Sequence, residues 1–226
     1  MDAPAVVLSA VLGLAAGWFV VVRVVETIPE PSPLDARARV AVTLVNAALW
    51  AEAAHKFPRW WIVVPYFVMF STFLAVSVVD LRLFRIPDRI LFPALAVTIP
   101  MVIVSTIVVQ HGKGGIVEVL KHAGVGMISY FAILFLFHLV SPRGMGFGDV
   151  KLALLMGIGL GWLGATVFNA FYLVLIALFL GCVFGIVFGL TIRLVKGRGG
   201  AFPFGPALAL SAVYIILTFD RYITNL

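Results

Sequence analysis

Apolar residues follow one another along the chain in blocks of roughly twenty, separated by short polar gaps, the spacing expected of helices crossing a bilayer core about 30 Å thick. By that ruler the sequence predicts eight spans, at about residues 4–24, 38–55, 60–79, 90–109, 123–140, 150–165, 168–192 and 207–220. The second is ambiguous: Asn46 and Glu52 interrupt it, so it reads as a span or as an amphipathic helix lying at the interface. Trp60-Trp61 open the third block where an aromatic belt would anchor it. In the seventh, Gly181, Gly185 and Gly189 recur every four residues and clear one stripe for close approach of another helix. The fold class predicted is all-α, a polytopic membrane protein with about eight transmembrane helices.

Composition agrees and narrows the choice. The chain of 226 residues is 63% hydrophobic and 12% charged, with mean hydropathy +1.15, which excludes an ordinary soluble domain. A formal charge of +6 would suggest nucleic acid in a soluble protein. Here the basic residues sit in the gaps between apolar blocks and form no dense face interleaved with aromatics, so no nucleic-acid partner is expected. The single Cys182 lies within an apolar block and excludes a disulfide framework or a cysteine zinc cluster in one chain. No basic region precedes the first block, so it is expected to remain as a span and not to be cleaved as a signal peptide.

With eight spans, Arg23, Arg37, Arg39, Arg82, Arg85, Arg89, Arg143, Lys151, Arg193, Lys196 and Arg198 fall on one side of the bilayer. That is eleven of the 16 basic residues. Lys56, Arg59, Lys113, Lys121 and Arg221 fall on the other. The positive-inside bias then places the Asp80–Asp88 and Gly144–Asp149 loops in the cytoplasm and both termini outside. If residues 38–55 do not span, the N-terminus moves inside and the two acidic loops stay cytoplasmic.

This topology brings together two acids that lie far apart in sequence. Asp80 closes the third block and Asp149 opens the sixth, at similar depth on one face. Two carboxylates in a partly dry site do not both ionise cheaply; one keeps a proton while the other polarises a water, an arrangement suited to general acid/base hydrolysis of a peptide bond. Gly144, Gly146 and Gly148 would give the backbone conformations closed to other residues and let it approach an extended substrate. Other roles are plainer. Asp149 could cap its own helix, and Asp88, after Pro87, the fourth. Asp80 sits where a helix C-terminus disfavours an anion, so a structural role is harder to find for it. Arg82, Arg85 and Arg89 read as topology and headgroup anchors, His138 as a satisfied interfacial histidine and Cys182 as a small apolar residue. A proton- or cation-coupled transporter using the two aspartates is the alternative from another class, and an inactive membrane scaffold a third.

The motifs carry a family resemblance. Gly146-Phe147-Gly148-Asp149, followed by Val150-Lys151-Leu152, resembles the GxGD signature of the bacterial type IV prepilin peptidases. Asp80-Leu-Arg-Leu-Phe-Arg-Ile-Pro87-Asp88 is similar to their aspartate followed by Ile/Leu-Pro-Asp, and Phe202-Pro-Phe-Gly-Pro206 resembles their Pro-Phe-Gly-Pro element. The resemblance covers most of residues 38–220. It implies an intramembrane aspartic endopeptidase cutting the basic leader from prepilin or pseudopilin-like precursors at the cytoplasmic face of the plasma (inner) membrane. It matches Asp80 and Asp149 to the catalytic pair and Asp88 to the non-catalytic acid, with Gly146, Gly148 and Lys151 in the substrate-side loop. On this reading residues 1–37 are a first transmembrane helix with a short cytoplasmic loop, and residues 38–226 the membrane-embedded peptidase domain. The N-methylation that many members perform goes with an N-terminal region carrying paired, zinc-binding cysteines. Here Ala16-Gly17-Trp18-Phe19 only weakly echoes the family's first-span Gly-Ser-Phe-Leu-Asn pattern and the cysteines are absent, so peptidase activity alone, with no cofactor or metal, is expected.

Overall fold

The computed structural model describes residues 1–28, 33–109, 115–142, 144–196 and 203–219. Lys113, Arg143, Arg198 and Arg221 of the charge count, the polar tip at 110–114 and Phe202 of the C-terminal element lie outside the described residues, as does the side chain of Lys196. Among those described, the chain forms eight helical rods and no strand. The first is α1 (Ala3–Ala16), a π-helical turn (Gly17–Val21) and α2 (Val22–Glu26) in continuous succession. There follow α3 (Ala36–Lys56), α4 (Trp60–Leu83), α5 (Asp88–Val109), α6 (Ile116–Val140), α7 (Phe147–Leu163), α8 (Val167–Lys196) and α9 (Gly205–Thr218). Five are long and apolar enough to cross a membrane: Ala3–Glu26, Trp60–Leu83, Asp88–Val109, Ile116–Val140 and Val167–Leu194, while Gly205–Thr218 is a shorter apolar helix. The protein is an all-α, multi-pass membrane protein.

The ambiguous second block folds as a full-length helix. Asp35 starts α3 by accepting the Ala38 N–H at 2.7 Å. From there α3 runs antiparallel to the first rod: Arg39 pairs with Glu26 at 2.8 Å at one end, and Gly13 packs against Ala47 and Trp50 further along. Asn46, the residue that interrupted the apolar pattern, is wholly buried at this contact. Its amide donates to the Gly13 carbonyl at 2.9 Å, and its oxygen accepts from the Ser71 hydroxyl at 2.8 Å, which in turn accepts from the Trp50 indole at 3.0 Å. A polar group that is costly in an apolar medium thus becomes the tie between α1, α3 and α4.

The centre of the bundle is α7, which touches α4, α5, α6, α8 and α9. From Val150 to Leu163 every residue but Lys151 and Leu154 is buried, which is why the helix is apolar on nearly every face. Its 17 residues span about 25 Å. The tightest seam is with α6, where a side chain on Gly126 would strike the Gly157 carbonyl and come within 2.6 Å of the Gly161 Cα. Gly181 performs a looser version of the same role on α8, facing Leu208 and Ser211 of α9. Two further bonds fix α7 in place: Tyr66 donates to the Gly159 carbonyl and the Trp162 indole to the Thr106 hydroxyl, each at 3.0 Å.

Candidate active site

Asp80 lies in the last turn of α4 and Asp149 in the first turn of α7, and both are buried, 5% and 8% exposed. Ile86 packs against Gly148, the residue before Asp149, and against Gly205, whose N–H binds Asp80, so the two acids flank one side chain. The structure therefore brings together the two acids that the topology paired.

Asp149 is not the cap of its helix. Gly146 takes that position with extended backbone, and Asp149 stands three residues on, its N–H donating to the Gly146 carbonyl at 3.1 Å. From the third position its carboxylate stays buried and reaches back to the Gly146 backbone N–H, as the acid of a capping box does. Asp80 resolves differently. Its own helix ends unfavourably for an anion, yet its Oδ2 accepts the Gly205 N–H at 3.1 Å, and Gly205 is the first residue of α9. The carboxylate at one helix's C-terminus thus faces the positive N-terminal end of another. Gly205, within the Pro-Phe-Gly-Pro element, has no role in the sequence reading; 125 residues separate it from Asp80.

The glycines of the opening loop serve by their size. Gly146 has φ −66°, and none of Gly144, Gly146 and Gly148 takes the left-handed backbone that the sequence reading expected of them. Gly148 instead makes room for Ile86, whose Cβ would lie 2.8 Å from an added methyl. The left-handed residue is Phe84, at φ 53° and ψ 36°, which ends α4 by donating to the Asp80 carbonyl at 2.9 Å. His138 is satisfied: a carbonyl can only accept, so its Nδ1–H donates to Met145 O at 2.8 Å and braces the glycine loop.

Asp88 and Lys151 pair with each other. Asp88 begins α5 and holds the Lys151 ammonium, which also lies over the rings of Phe147 and Phe92 at 5.2 and 5.7 Å. A groove of about 430 Å³ opens beside Asp80, with Ser77, Leu81, Pro203 and Pro206 in its wall. Among the described residues no three His, Cys, Asp or Glu side chains come together as a metal site would require.

The chain matches the model of the Type IV leader peptidase family over residues 67–190, more than half its length. It belongs to that family. The matched segment contains Asp80, Asp88, Asp149 and Lys151. Among curated proteins it is similar to "Prepilin leader peptidase/N-methyltransferase" of Pseudomonas putida, 31% identical over 158 residues, covering 68% of this chain and 49% of the relative. The protein of the same name from Stutzerimonas stutzeri is 29% identical over 152 residues, 66% of this chain and 47% of the relative. That of Bacillus subtilis is 28% identical over 186 residues, 81% and 67%. The chain thus spans about half the length of the first two. No solved structure matches it significantly.

Proposed function

We propose that this chain is a membrane-embedded aspartic endopeptidase that removes the leader peptide from type IV prepilin-like or pseudopilin-like precursors at the cytoplasmic face of the plasma membrane. The observation that carries this reading is the pair of buried carboxylates, Asp80 and Asp149, delivered to one site by the end of α4 and the start of α7. Asp88 and Lys151 hold the loops at the same face, and the family and the names of the relatives support the substrate class.

The chemistry follows from two like charges in a water-poor site. One aspartate is ionised and takes a proton from a water; the other is protonated and donates to the scissile carbonyl oxygen. The water oxygen adds to the carbonyl carbon, and collapse of the tetrahedral intermediate expels the amine, which takes the proton held by the first aspartate while the second recovers a proton from an intermediate hydroxyl. The Gly205 N–H holds Asp80 in one orientation through this exchange. The groove beside Asp80, walled by Leu81 and Pro206, is apolar, as an approach for the hydrophobic part of such a precursor has to be.

Placement of both acids at helix ends, and not midway along a span, favours hydrolysis over proton or cation transport, for which no other feature speaks. Incubating the purified protein with candidate precursors and sizing the products by mass spectrometry tests the reading. A single new N-terminus just before the apolar segment is expected; intact precursor together with proton flux in proteoliposomes would overturn it.

A further inference from the structure

Ile86 touches both halves of the site. It lies in the short turn between α4 and α5, 9% exposed, and its two ends meet two glycines. A methyl on Gly148 would fall 2.8 Å from the Ile86 Cβ and 3.3 Å from its backbone nitrogen. A methyl on Gly205 would fall 3.2 Å from the Ile86 Cδ1 and 2.8 Å from the Asp80 carboxylate. Gly148 is the residue before Asp149, and Gly205 donates the hydrogen bond that orients Asp80. One side chain therefore separates the backbone that carries one aspartate from the backbone that holds the other.

The turn keeps Ile86 there from both sides. Upstream, Phe84 adopts a left-handed conformation, costly for a bulky residue, and its N–H binds the Asp80 carbonyl. Downstream, Pro87 fixes the chain and Asp88 is tied to Lys151 on α7. Strain is tolerated where the surrounding structure over-determines it, and here the turn is pinned at both ends.

We infer that Ile86 is a positioning residue, its side chain acting as a spacer between Gly148 and Gly205 that sets the separation of the Asp80 and Asp149 carboxylates. This rests on the peptidase reading. The spacer acts on geometry, and misplacement of reacting groups by about 1 Å can cost on the order of a hundredfold in rate.

The test uses the full chain purified in detergent, with a synthetic peptide carrying a basic leader and an apolar segment as probe. For Ile86→Ala a fall in kcat of at least about tenfold is expected, with KM nearly unchanged and the pH profile of kcat altered, since changed spacing alters how the two acids share a proton. Ile86→Val, which keeps the Cγ1 beside Gly148 and loses the Cδ1 that meets Gly205, is expected to fold and to show a smaller fall in kcat, with the pH profile altered in the same sense. Wild-type kcat and pH profile in folded Ile86→Ala, or a loss confined to thermal stability, would overturn the inference. If the alanine variant does not fold, a folded valine variant with lowered kcat and altered pH profile supports the spacer, and one with wild-type kcat and profile overturns it. Asp80→Asn and Asp149→Asn, run alongside, separate the two claims: retained cleavage in either sinks the peptidase reading itself, whereas their inactivity beside a normal Ile86→Ala sinks the spacer alone.

Discussion

At the scale of single residues, the site depends on where two carboxylates point. Asp80 is held by the Gly205 N–H, and a methyl on Gly205 would sit 2.8 Å from Asp80 Oδ2, closer than atoms approach without bonding. Gly205→Ala is therefore expected to displace the carboxylate and to lower kcat by about tenfold to a hundredfold in single-turnover cleavage, with the protein still folded. An alanine variant of wild-type rate would show that this contact does not orient Asp80. The two acids were readable in the sequence because a charge beside an apolar block demands a reason. Their partners were not readable: the Gly205 bond joins residues 125 apart, and Lys151–Asp88 joins residues 63 apart. Glycine also misled, since its identity signals freedom or small size without saying which. At Gly148 the structure uses size, and the left-handed position falls instead to Phe84.

At the scale of elements, the apolar blocks foretold the eight rods with ends displaced by only a few residues, except that α6 begins at Ile116, earlier than the membrane part read from residue 123. Which face meets which neighbour was less legible. Gly181 of the stripe singled out on α8 meets only the Leu208 and Ser211 side chains and the Leu208 Cα, while the backbones of α6 and α7 touch through Gly126, Gly157 and Gly161. Those glycines stand on two helices, and nothing in either alone reveals their alignment. Gly157→Val is accordingly expected to destabilise the protein by about 3 kcal/mol. Gly124→Ala, with open space at its Cβ, is expected to stay within about 0.5 kcal/mol. Thermal unfolding in detergent compares them, and equal effects would contradict the seam. Asn46 gives the same lesson. Read as a fault in a span, it proves to be the bond between three helices, because a buried amide is costly only when unpaired.

At the scale of the whole molecule, charge counting placed both acidic loops on one side of the bilayer, and the bundle brings them together around the buried α7. Sidedness is open to direct measurement. In a Cys182→Ala background, Arg85→Cys and Ser141→Cys are expected to react with an impermeant maleimide only from the cytoplasmic side, and Pro58→Cys only from the opposite side; labelling of the first two from opposite faces would contradict the topology. Because catalysis needs one aspartate charged and the other protonated, cleavage is expected to follow a bell-shaped pH profile, and a rate that rises to a plateau would contradict a shared-proton pair. The most direct test of the central claim is turnover by Asp80→Asn and Asp149→Asn in proteoliposomes, read by mass spectrometry of a prepilin-like precursor. Each variant is expected to insert normally and leave the precursor intact, whereas leader removal by either at near wild-type rate would contradict the assignment of the pair.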